Sequence, residues 1–186
     1  DIVIIATYPS THLEILRECL KYGKHVICEK PIGVELGQAE EVARLVAASR
    51  GKVLIGYILG HNQIDQYGQK RIASGEIGFP IIMRMAQNHH TMDWKKYLAL
   101  IKETSPIVDC GVHYTDVMQW FAGCRVYQVS GIGASLEPDS KHPNYGMITL
   151  KLENGCIGYY EAGWSRNTAS ANVKEFIGTK GRITLT

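Results

Sequence analysis

The first seven residues, "DIVIIAT", leave the chain few folds to choose from. Ile2, Val3, Ile4 and Ile5 form an unbroken β-branched run with no polar alternation, the pattern of a strand buried on both faces, as in a parallel sheet. A parallel neighbour can be reached only by a crossover, so a helix must follow. It does: Ser10 or Thr11 can cap, Leu13, Leu16 and Leu20 fall at helical spacing, and Gly23 can stop the helix. "KHVICEKP" is then a second short strand closed by Pro31. Residues 35–50 make an amphipathic helix with Val42, Leu45 and Val46 inward and Gly51 as its stop, and "KVLIGY" is a third strand. Right-handed crossovers turn this βαβαβ succession into parallel strands with helices on the faces.

After Tyr57 the pattern changes. A helix covers part of "NQIDQYGQKRIASG", "PIIMRMAQN" reads as a strand, and two helical stretches flank "SPIVDCGVHYTD". The last third is strand and turn: "YGMITLKL", "ENG", "CIGYYEAGW", "VKEFIG", "TKG" and "RITLT". Asn154 before Gly155 favours a tight hairpin, because both residues accept positive φ. The fold class expected is α/β: half of a parallel α/β domain over 1–58, then an α+β domain with a mainly antiparallel open sheet over 59–186. The abrupt start on Asp1 and the close on a strand give it the look of a piece of a longer protein.

Composition excludes several functions. Charged residues make up 20% and the formal charge is +2, with no run of like charge, so nucleic acid is not an expected partner. No apolar run approaches the roughly 20 residues needed to span a bilayer, so no membrane is expected either. Five cysteines with no C-x-x-C pair suit reduced thiols and a cytoplasmic location.

Three stretches could carry chemistry. On one helix from 109 to 121, Asp109, His113, Asp116 and Trp120 would fall within about 60° of one another, roughly a third of a turn from an apolar stripe. Such a stripe serves equally as a solvated face or as a histidine base flanked by carboxylates. The second is "CEKP", with Lys30 at the carboxyl end of a strand, where open α/β sheets bind ligands, and with Pro31 free to be cis. The third is "ATYPSTH", a strand end opening a helix, where backbone N–H groups can approach an anion or a ribose. His89 and His90 invite a metal, but neighbours on a strand point to opposite faces, and no metal is expected.

In order, "DIVIIAT…STH", "GKHVICEKP", "SGEIG", "DCGVHYTDVMQWFAG", "LENGCIGYYEAGW" and "GTKGRITL" resemble the Gfo/Idh/MocA family of glucose-fructose oxidoreductase and inositol dehydrogenase. The resemblance implies the C-terminal part of a Rossmann domain, an NAD- or NADP-dependent oxidoreductase, and a sugar or polyol substrate. It also implies a homo-oligomer formed through the C-terminal sheet. Residue by residue, it places Lys30, Asp109 and His113 as the catalytic set, with His113 the acid/base. Ala6, Thr7, Pro9, His12, Glu29, Lys30 and Pro31 would line the nicotinamide-ribose end of the cofactor. Lys30, Asp109, His113 and Asp116 would meet substrate.

The chain also departs from the family. It has no G-x-G-x-x-G, reads "GYILGHNQ" with His61 where an arginine is common, and has "ETSP" before the D-x-G-x-H motif. Two alternatives stay open: an NAD-using glycosidase of the same fold, and a non-catalytic sugar- or cofactor-binding regulator.

Overall fold

The computed structural model describes residues 1–89, 95–138 and 140–185, which form two compact units, Asp1–Tyr57 and Ile58–Thr186. In the first unit, strands β1 (Ile2–Ile5), β2 (His25–Cys28) and β3 (Val53–Ile55) pair in parallel in the order β1-β2-β3. Helices α1 (His12–Lys21) and α2 (Leu36–Ala48) make the two crossovers. The rows Val3–Val26–Val53 and Ile5–Cys28–Ile55 stand in register, and they pack with Leu16, Leu20 and Val42 from the helices into one apolar core. Helix α2 starts on a capping box in which Glu35 and Gln38 satisfy each other's backbone N–H groups.

Here the structure corrects the sequence. The unbroken run in β1 is buried on one face only: Ile2 and Ile4 are 65% and 70% exposed, and Leu54, in register with Ile4 through Ile27, is 58% exposed. An aliphatic run marks a strand whose two faces both suit burial. Among the described residues, α1 and α2 cover only the side of Val3 and Ile5.

The second unit is built on a six-stranded mixed sheet in the order β5-β6-β7-β4-β8-β9. Its strands are β4 (Ile82–His89), β5 (Val126–Ala134), β6 (Tyr145–Leu152), β7 (Ile157–Trp164), β8 (Ala171–Ile177) and β9 (Arg182–Leu185). All pairs are antiparallel except β4 with β7. Strand β5 was not foreseen, because Gly131 and Gly133 interrupt its apolar pattern; both sit where a side chain would meet β6 or Pro143.

One face of the sheet carries Met83, Met85, Leu150, Leu152, Tyr160, Ala162, Trp164 and Phe176. Helices α3 (Gln63–Ala73), α5 (Pro106–Asp109) and α6 (Gly111–Ala122) supply the other half of that core, including Ile72, Val117, Met118 and Phe121. Inside the same layer the Lys174 ammonium on β8 donates to both oxygens of Asp65 on α3 at 2.6 Å, and both residues are buried. A short helix, α4 (Lys95–Leu100), precedes α5. Among the described residues, no helix covers the opposite face of the sheet.

Candidate active site

In the first unit the three strands end together at Ile5, Cys28 and Ile55, and the segments that follow lie along this carboxyl edge. The Glu29 N–H donates to the carbonyl of Ile5, and the Gly56 N–H to that of Cys28, so the ladder runs on past the strands. Buried His12 stands at the first turn of α1 with Nδ1 2.8 Å from the carbonyl of Pro31 and Nε2 3.1 Å from the carbonyl of Thr7. One imidazole therefore pins the "ATYPSTH" segment to the "EKP" segment. The Lys30–Pro31 bond is cis.

Around this clamp, Ala6, Thr7 and Glu29 are exposed, Lys30 and Gly56 are half-buried, and Pro9 and Pro31 are buried. A Cβ on Gly56 would come within 3.2 Å of the Glu29 carboxylate, so the glycine leaves room for that side chain. Beneath the edge, burial and the neighbouring Glu29 carboxylate push the Cys28 thiol up to about 11, which keeps it protonated and chemically quiet.

In the second unit the D-x-G-x-H motif does not lie on one helix, as its spacing had suggested. Ser105 caps α5, accepting a hydrogen bond from the Val108 N–H at 3.2 Å, and Pro106 occupies the first turn. That short helix ends at Asp109, Cys110 is the joint, and α6 starts at Gly111. Asp109 is thus the last residue of one helix and His113 belongs to the first turn of the next. The break lets the carboxylate be buried, at 8% exposure, while His113 and Asp116 stay half-buried one turn apart on α6. Helix α6 closes on Gly123, whose φ of 71° is a left-handed cap.

Asp109 sits in an aromatic setting that the sequence did not reveal. The Cys110 Sγ donates to its Oδ2 at 3.6 Å. Tyr97 on α4 and Tyr160 on β7 both have their ionisation opposed, first by burial and then by negative charge that includes Cys110 and Asp109. Tyr97 also meets Trp164 edge-on, with ring centroids 5.4 Å apart, and stacks with His89 at 6.3 Å. The only signal of this arrangement in the sequence was the alternation in "CIGYYEAGW", which puts Tyr160 and Trp164 on one face of a strand.

Burial raises the pKa of Asp116, so its charge is the more easily lost. Burial lowers that of His89. His61 is exposed at the end of a 3-10 turn, and His90 lies outside the described residues. Among the described residues no three His, Cys, Asp or Glu side chains gather as a metal site, and all five cysteines are free. No helix among them is long and apolar enough to cross a membrane.

Comparison with known proteins gives these two regions a context. The family model of the GFO/IDH/MocA C-terminal domain matches residues 66–184, and that of the oxidoreductase family with an NAD-binding Rossmann fold matches residues 1–57. Among curated proteins the chain is similar to scyllo-inositol 2-dehydrogenase (NAD(+)) of Bacillus subtilis, with 26% identity covering 98% of this chain and 54% of that one. It is also similar to myo-inositol 2-dehydrogenase of Thermotoga maritima, with 23% identity covering 98% and 55%. The chain spans about half the length of the curated relatives it matches.

Among solved structures, an oxidoreductase from Thermotoga maritima superposes with a TM-score of 0.87 at 26% identity, covering 100% of this chain and 58% of that one. The scyllo-inositol dehydrogenase of Lactobacillus casei with bound cofactor NAD(H) and scyllo-inositol shares the fold, with a TM-score of 0.81 at 24% identity, covering 100% and 57%. The order of motifs, the two folds and the two family matches agree: the chain belongs to the GFO/IDH/MocA oxidoreductase family.

Proposed function

We propose that this protein is an NAD- or NADP-dependent oxidoreductase that transfers a hydride between the cofactor and a hydroxyl or carbonyl carbon of a sugar, polyol or related compound. One observation carries the proposal: the D-x-G-x-H motif supplies a buried carboxylate and a half-buried histidine across a helix break, in a chain that also ends a parallel strand on E-K-P.

Oxidising a secondary alcohol requires its hydroxyl proton to leave as the hydride goes, so a base must reach that oxygen. His113 takes the proton at its imidazole, and gives it back when the reaction runs the other way. The Asp109 carboxylate favours the imidazolium that results. The Lys30 ammonium stabilises negative charge developing on the oxygen. Asp116, half-buried on α6, binds substrate.

The carboxyl edge of the first unit fits the nicotinamide-ribose end of the cofactor: exposed Ala6, Thr7 and Glu29 flank two segments that His12 holds together through Thr7 and Pro31. Pro9 shapes the same turn from beneath. When bound, NAD or NADP supplies the hydride acceptor or donor. No residue is assigned to the pyrophosphate, because the chain contains no G-x-G-x-x-G.

Two further parts of the proposal concern setting. The open face of the six-stranded sheet forms a homo-oligomer interface: exposed Ile82, Ile132, Ile157 and Val173 lie on it beside a groove of about 520 Å³ lined by Arg84, Glu161 and Glu175. The location is cytoplasmic, where five unpaired thiols are compatible with the redox poise.

The test is a fluorescence titration of the intact protein with NADH and NADPH, followed by a panel of polyols and sugars with the preferred nucleotide. Saturable binding of one nucleotide and its reduction by at least one polyol is the expected result. Failure of both nucleotides to bind contradicts the proposal.

A further inference from the structure

Tyr160 is fully buried on β7, its ring stacked on Tyr114 of α6 with centroids 4.5 Å apart and planes inclined by 22°. The two phenols fare differently. Tyr114 donates to the Asn172 Oδ1 at 3.1 Å, whereas the Tyr160 hydroxyl has no hydrogen-bond partner among the described residues. A phenylalanine would make the same stack without the cost of burying an unpaired hydroxyl. Packing therefore explains the ring and leaves the oxygen unexplained.

Two observations place the ring of Tyr160 beside the Asp109 segment. The first is a close approach: a Cβ on Gly111 would lie 3.1 Å from the Tyr160 Cε1, so the start of α6, two residues past Asp109, rests on the edge of this ring. The second is electrostatic: after burial, the charges opposing ionisation of Tyr160 come from Cys110, Tyr114 and Asp109. A buried water needs two or more polar partners, and a tyrosine hydroxyl and a carboxylate are groups that can serve as them.

We infer that Tyr160 is a positioning residue for Asp109, its hydroxyl donating through one bridging water to the Asp109 carboxylate. The carboxylate then gains this water beside the Cys110 thiol, whose Sγ is 3.6 Å from Oδ2. The inference rests on the catalytic role proposed above for Asp109 and names a group that helps to keep it in place.

The experiment compares wild type, Tyr160→Phe, Asp109→Ala and the double variant, in the full protein, by thermal melting and by steady-state turnover. Tyr160→Phe is expected to lower the melting temperature only where Asp109 is present, and to reduce kcat about tenfold, the equivalent of one lost hydrogen bond, with KM nearly unchanged. A melting temperature raised equally in both backgrounds, as removal of an idle hydroxyl would give, overturns the inference, as does an unchanged kcat. If wild type turns over no alcohol with either nucleotide, the functional proposal fails on its own; the melting cycle still decides whether Tyr160 and Asp109 are coupled.

Discussion

The two units each cover one face of a sheet and leave the other open, yet they place their polar groups differently. The open face of the first unit is aliphatic, with Ile2, Ile4 and Leu54 exposed. The open face of the second is laced with charge: Arg84 donates to Glu175 at 2.7 Å, and Glu161 accepts from Tyr145, Tyr159 and Asn88. The covered sides contrast too. In the first unit the buried polar side chain is His12, spent on two backbone carbonyls. In the second unit a buried ion pair, a buried carboxylate and a phenol with no partner among the described residues share the core. A sheet that shapes backbone segments needs few buried polar side chains, whereas the unit proposed to carry acid and base buries a carboxylate and an ion pair.

The largest effect that can break this contrast lies in the second core. Asp65→Asn leaves the Lys174 ammonium buried without its carboxylate, and denaturant unfolding is expected to show a loss of about 3–5 kcal/mol. A loss no larger than that of an exposed charge would mean that the pair is solvated. In the first unit, His12→Ala removes the ring that bridges the carbonyls of Pro31 and Thr7, strands the one that accepts its N–H, and is expected to cost about 1–3 kcal/mol. It should weaken nucleotide binding more than it slows turnover, as fluorescence titration and kinetics on the same preparation would report.

A smaller effect separates the open faces by pH. The hydrogen bond to Glu161 and then burial push Tyr145 up to about 12 from an ordinary value of 10, and burial and then the same hydrogen bond push Tyr159 to about 12. An acid whose pKa is raised in the folded state stabilises fully below its unfolded value, and that contribution is lost as pH climbs from about 10 through 12. Ultraviolet titration of phenolate should show two of the late-ionising tyrosines shift earlier in Glu161→Gln, while Tyr97, Tyr114 and Tyr160 stay late. The smallest effect belongs to the aliphatic face: Ile4→Thr with Leu54→Thr should change the unfolding free energy by less than about 0.5 kcal/mol per site while reducing aggregation seen by light scattering.

Local pattern made much of this architecture legible. Leucine spacing and Gly23 announced α1, Asn154 before Gly155 marked the turn between β6 and β7, and Pro31 ended the second strand. What stayed hidden depends on partners distant in sequence. The run in β1 records what its residues tolerate on each face, and only the three-dimensional structure shows which face α1 and α2 take. The spacing of Asp109 and His113 is compatible with one helix; Ser105, Pro106 and the close approach of Gly111 to Tyr160 mark two. The aromatic groups around Asp109 come from α4 and β7, which no local window joins to it.

Hydride transfer itself can be followed by an isotope. With any polyol the protein accepts, deuterium placed on the carbinol carbon should pass to the reduced nicotinamide, one atom per turnover, slow turnover when the chemical step limits it, and leave a carbonyl product. Recovery of a redox-neutral product, with no deuterium in the cofactor, would contradict the assignment of this chain's residues to alcohol oxidation.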